Sequence, residues 1–176
     1  MTIDEMVNTI LAHEGGFVND PDDRGGATNF GVTQLTYAKW LGRPASIADV
    51  KAMDIETAKE IYLANYYYKP RINGLPDEIQ PLTFDCAINH GPIRAMKFVQ
   101  TVVNLAGFGL ITVDGVCGPE TMRRVKAAHA EMGNYFINAM VDERVNFYEA
   151  IIERDASQAR FRNGWLKRAE SFRVPV

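Results

Sequence analysis

The stretch Glu14-Gly15-Gly16-Phe17-Val18-Asn19-Asp20-Pro21-Asp22-Asp23-Arg24-Gly25-Gly26-Ala27-Thr28-Asn29-Phe30-Gly31-Val32-Thr33 decides how the rest of the chain is read. Upstream of it, Thr2 with Glu5 three residues later forms a capping-box pattern. Ile3, Met6, Val7, Ile10 and Leu11 then recur at helical spacing, so a first helix is predicted up to Gly15-Gly16. Between Phe17 and Val32 the helical period vanishes. Asn-Asp-Pro, Asp-Asp and paired glycines are turn chemistry with room for a short β-hairpin. Downstream, Thr33 is placed to start a second helix and Gly42 to stop it.

Outward from there helices dominate. Ser46 and Asp54 read as N-caps, the second opening a run through Ile55, Ala58, Ile61 and Tyr62 towards Pro70. Residues 70–76 form a connector. A fifth helix is predicted over Asp77–His90, ending at Gly91, with Pro92 beginning a sixth. The glycine-rich segment 107–119 has room for a short strand pair. Pro119 and Asn134 open two more helices, the last carrying Ile137, Val141, Val145, Tyr148 and Ile152 on one stripe. The expected fold class is α+β and mostly α-helical. Residues 1–75 form one lobe and 76–176 a second, together in one compact unit.

The 176 residues are 47% hydrophobic and 23% charged, as in ordinary globular proteins, and the net charge is −3. That acidic balance disfavours a duplex nucleic-acid binder, which carries basic excess to displace counterions. Two cysteines, Cys86 and Cys117, make no disulfide framework, and His13, His90 and His129 stand at no metal-ligand spacing. No metal or other cofactor is expected. The opening MTIDEMVNTI contains acids, not a basic n-region, and no apolar run follows it, so neither a secretory signal nor stable membrane insertion is expected.

Glu14 lies four residues after Ile10 and seven after Val7, which carries its carboxyl onto the apolar stripe at the negative end of the helix dipole. Partial burial and that dipole both favour the protonated form. A carboxylic acid that keeps its proton near neutral pH is the general acid of glycoside hydrolysis. The inverting form of that reaction needs a second carboxylate roughly 6.5–9.5 Å away, with a water between. A hairpin returning from Gly15 offers Asp20, Asp22 or Asp23 for that place, and Thr28 to hold the water. A plain alternative is a helix stop followed by a solvated Asx turn. A calcium loop fits poorly, because the D-x-[DN]-x-[DN]-G spacing is not met.

EGGFVNDPDDRGGATNFGVT resembles the N-terminal motif of glycoside hydrolase family 108, N-acetylmuramidases found among phage endolysins and related bacterial proteins. FDCAINHGPIRAMKFVQ, VDGVCGPETMRRV and the late FRNGW are similar to the peptidoglycan-binding half that accompanies it, so the resemblance covers nearly the whole chain. It implies a lysozyme-like fold with a small hairpin beside a cleft, and a bacteriolytic cell-wall hydrolase with peptidoglycan as partner. It further implies Glu14 as the catalytic glutamate, with Asp23 and Thr28 as the acid and threonine that follow; Asp20 rivals Asp23. Such a protein would act as a monomer and stay cytoplasmic until a membrane pore, a holin, admits it to the wall or periplasm.

Further candidates lie outside that stretch. Tyr66, Asp85 and Asn89 are candidate sugar-binding residues, although Asp85 and Asn89, four apart on one face, also suit a helix end. Tyr62 reads as core, as does Trp165. Five basic residues between Ser157 and Val176 face either anionic polymer or solvent. Two other functions compete with hydrolysis: a lytic transglycosylase using Glu14 alone, and a non-catalytic wall-binding module.

Overall fold

The structure is a computed structural model that describes residues 2–19 and 26–176. It divides into two compact units, Met1–Tyr68 and Lys69–Val176. The boundary falls earlier than the expected 75/76. The reason lies in the residues after the fourth helix: a π-helical turn, Ala64–Tyr68, extends that helix, and the short 3₁₀ turns Ile72–Gly74 and Asp77–Ile79 pack with the helix that follows them. Among the described residues no helix is long and apolar enough to cross a membrane.

In the first unit α1 (Ile3–His13) begins with the capping box, Thr2 and Glu5 exchanging both bonds, and ends on Glu14 as its C-cap. Its buried residues Met6, Val7, Ile10 and Leu11 face α4 (Ile55–Leu63). Two two-residue strands follow, β1 (Thr28–Asn29) and β2 (Val32–Thr33), paired antiparallel with Thr28 opposite Thr33. Val18 forms an isolated bridge to Thr28, which brings the chain back beside the hairpin. α2 (Gln34–Leu41) starts on the Thr33 side chain and stops at Gly42, whose φ of +67° needs a glycine. α3 (Ile47–Ala52) and α4 start on Ser46 and Asp54, as their capping patterns predict.

Asn29 fastens the hairpin to this framework. It is buried, and its Nδ2 donates to the carbonyls of Val50 at 3.0 Å and Met53 at 3.3 Å, at the end of α3. The Val50 carbonyl also accepts from the Met53 N–H at 3.3 Å, where α3 closes. Asn29→Ala is expected to lower stability by about 1–3 kcal/mol, measured by urea unfolding, because it removes the buried donor that these carbonyls share.

The second unit contains α5 (Gln80–His90), α6 (Pro92–Leu105), α7 (Pro119–Met132), α8 (Asn134–Arg154) and α9 (Arg162–Glu170). α6 packs against α5, α7 and α8, around buried residues such as Phe84, Met96, Val99, Val125 and Met140. The fifth helix starts later than predicted. Pro81 has no N–H to give the Asp77 carbonyl, so 77–79 closes as a 3₁₀ turn and the α ladder begins at Gln80. The strand pair anticipated in 107–119 is absent from these described residues. Side chains occupy its backbone groups instead: Asn104 bonds both N and O of Ile111, while Gln100 accepts from Gly115 N and donates to Val116 O.

Candidate active site

Glu14 stands where α1 ends, with φ −72° and ψ −8°, and Gly15 follows at φ +74°. The helix therefore turns away immediately after it. The expectation of a half-buried carboxyl is corrected here: Glu14 is exposed, because as the cap it has no further helical turn of its own to carry it onto the buried stripe.

Exposure does not leave the carboxyl in open solution. The hairpin turns at Phe30 and Gly31 with φ of +50° and +74°, the signs that a two-residue type I′ turn requires. A methyl group built on Gly31 would stand 2.6 Å from Glu14 Oε2 and 2.5 Å from the Tyr62 hydroxyl oxygen. The two oxygens therefore lie no further apart than the sum of those distances, both against the side of Gly31 that lacks a Cβ. The Tyr62 hydroxyl donates to the Phe30 carbonyl at 3.2 Å. Burial first, then the Glu14 carboxylate and Tyr66, push the Tyr62 phenol above the ordinary tyrosine range, so it stays a donor.

Tyr62 is buried, as the sequence suggests, yet its hydroxyl belongs to this site. The signal available in sequence was the Tyr62/Tyr66 spacing. Across the π-helical turn the two rings come within 5.6 Å at 33°, which places Tyr66 beside the ring that touches the Glu14 surroundings. Tyr67 is the core member of the triplet, and Tyr68 is 56% exposed. Thr28 lies in β1 of the same hairpin. Asp20, Asp22 and Asp23 lie outside the described residues.

Asp85 and Asn89 belong to the second unit, and their surroundings correct the sugar-binding expectation for Asp85. It is 4% exposed, and two arginines occupy its carboxylate. Arg168 donates from Nε and Nη2 to Oδ1, at 3.1 and 2.7 Å. Arg144, wholly buried, brings Nη2 within 2.7 Å of Oδ2, an ionic contact rather than an aligned hydrogen bond. Asn89 donates back to the Asp85 carbonyl at 2.7 Å, the helix-end role weighed for it in the sequence.

The network continues into His90. Arg144 Nε donates to His90 Nε2 at 3.2 Å, so that nitrogen must carry a lone pair and the ring must be neutral. Burial, then Arg144, hold His90 down at about 4 against its ordinary 6.5. The unfolded chain takes up this proton near pH 6.5, while the folded chain resists until about 4. Stability from this group is therefore complete above pH 6.5 and declines as the pH falls towards 4. Melting temperatures across that range are expected to fall less steeply for His90→Gln, whose amide oxygen also accepts from Arg144.

The basic run near the C-terminus is largely paired. Arg162 meets Glu149, Arg168 meets Asp85, and Arg173 meets both Asp142 and Glu170. Trp165 stacks between Tyr148 at 4.9 Å and Phe161 at 5.7 Å. Leu110, Val116 and Thr121 line an open depression of about 350 Å³ at the start of α7.

A mostly helical chain with one small two-stranded antiparallel sheet among its described residues has the lysozyme-like α+β fold. Residues 7–91 match the family model described as Glycosyl hydrolase 108, and residues 94–170 match one described as "Predicted Peptidoglycan domain". The solved structure of SagA from Brucella abortus is 35% identical with a TM-score of 0.71, over 97% of this chain and 90% of that one. No match was found among curated protein sequences. The chain belongs to the glycosyl hydrolase 108 family, and its role is that of a glycoside hydrolase acting on peptidoglycan.

Proposed function

We propose that the protein is a muramidase, hydrolysing the β-1,4 bond between N-acetylmuramic acid and N-acetylglucosamine, with Glu14 as general acid. The observation that carries this reading is the Glu14 carboxyl itself. It is exposed at the end of α1, so a glycan can reach it, and it lies against the Phe30–Gly31 turn. Glu14 gives its proton to the glycosidic oxygen as the bond to the anomeric carbon breaks. Positive charge then develops on the sugar ring, and water attacks from the opposite face. Asp23 takes a proton from that water and Thr28 orients it.

Product mass decides between this and the transglycosylase. Hydrolysis leaves a reducing end that has gained the elements of water, whereas internal attack by the sugar's own hydroxyl leaves a 1,6-anhydro ring without them. Mass spectrometry of muropeptides released from purified sacculi is expected to show hydrated ends. Anhydro products would overturn the hydrolytic step, and binding to sacculi without new ends would overturn catalysis altogether.

A further inference from the structure

We infer that the Phe30–Gly31 turn, fastened by Tyr62, is the seat that orients the Glu14 carboxyl for proton transfer, making Gly31 and Tyr62 positioning residues of the reaction. The inference rests on Glu14 being the acid. An exposed glutamate keeps the freedom of three side-chain torsions unless something restricts it. Proton delivery tolerates little of that freedom, since misplacement by about 1 Å costs about 10²-fold in rate.

The contacts around Glu14 show what restricts it. The Tyr62 hydroxyl and the Glu14 carboxyl both crowd the place that a Cβ on Gly31 would take, at 2.5 and 2.6 Å. Tyr62 cannot yield: its residue is 6% exposed, and its hydroxyl is bonded to the carbonyl of the turn itself. Glu14 is exposed and can yield. A Cβ at position 31 overlaps both oxygens, so the turn itself must shift off Tyr62, and the freer Glu14 carboxyl is displaced with it.

Phe30 provides a second, independent observation. It is a bulky residue held at φ +50°, a left-handed conformation that such residues rarely adopt. Strain of this kind persists where surrounding contacts over-determine it, and it gathers at functional sites. Here it turns the Phe30 carbonyl onto Tyr62 and presents Gly31, with no Cβ, to Glu14.

The test compares wild type, Gly31→Ala, Gly31→Asn, Tyr62→Phe and Glu14→Gln on solubilised peptidoglycan fragments, reading kcat, KM and melting temperature separately. Gly31→Ala is expected to lower kcat by about 10²-fold with KM held. Gly31→Asn is expected to do no better, although asparagine tolerates positive φ, because the obstruction is the Cβ and not the backbone. Tyr62→Phe, nearly isosteric, is expected to lower kcat in the same direction with KM held. Wild-type kcat in Gly31→Ala or Tyr62→Phe, or recovery in Gly31→Asn alone, would overturn the seat. So would losses of kcat that merely follow the melting temperature. An active Glu14→Gln would instead overturn Glu14 as the acid, a separate failure from an inactive Glu14→Gln beside a fully active Gly31→Ala.

Discussion

Glu14→Gln is expected to slow wall hydrolysis by about 10²–10⁴-fold, the usual contribution of a general acid, while the melting temperature stays where it was. The amide has the shape of the carboxyl but no acidic proton. The residue is exposed, and its backbone N–H still donates to the Ile10 carbonyl to close α1. Little stability is therefore at stake. Turbidity loss of a sacculus suspension gives the rate, and a thermal melt gives the control. A variant that lyses walls at the wild-type rate would show that another group donates the proton.

Asp85→Ala is expected to do the reverse, acting on the fold and not on the chemistry. Removing one partner of a buried ion pair costs about 3–5 kcal/mol, because the remaining charge loses its compensation. Here the remaining charge is Arg144, wholly inside the protein, whose Nε already leans on a neutral His90. A small domain has only about 5–15 kcal/mol of stability in total, so the urea midpoint of this variant should fall steeply. Arg162→Ala makes the contrast: its pair with Glu149 is half in solvent, and such pairs contribute about 0–1 kcal/mol. Equal midpoints for the two variants would refute the distinction.

The parts of this fold legible in the sequence were those fixed by neighbours along the chain. Thr2 with Glu5, Ser46 with Asp49, Asp54 and Gly42 act within one helical turn, so their types and spacing suffice. Glu14 was found because it ends a periodic helix beside abrupt turn chemistry. Its exposure was not, because periodicity places a residue on a face without saying what covers that face at the helix end. Arg144 sits on the apolar stripe between Val141 and Tyr148, a position that an apolar reading passes over. Its reason for being there is Asp85, a residue on another helix. Tyr62 was read as core for the same reason: the ring is core, and only the folded chain shows the hydroxyl reaching a carbonyl 32 residues away.

The Asp85 network also bears on how this chain could be cut and recombined. Asp85 and His90 lie in the stretch that matches the hydrolase family, whereas Arg144 and Arg168 lie in the stretch that matches the peptidoglycan domain. All four sit in one compact unit. A split at the seam between the two matches would divide the ion cluster, leaving a bare aspartate in one fragment and an unneutralised internal arginine in the other. The two halves are therefore not interchangeable cassettes, and a graft that transfers one of them must bring its countercharges along.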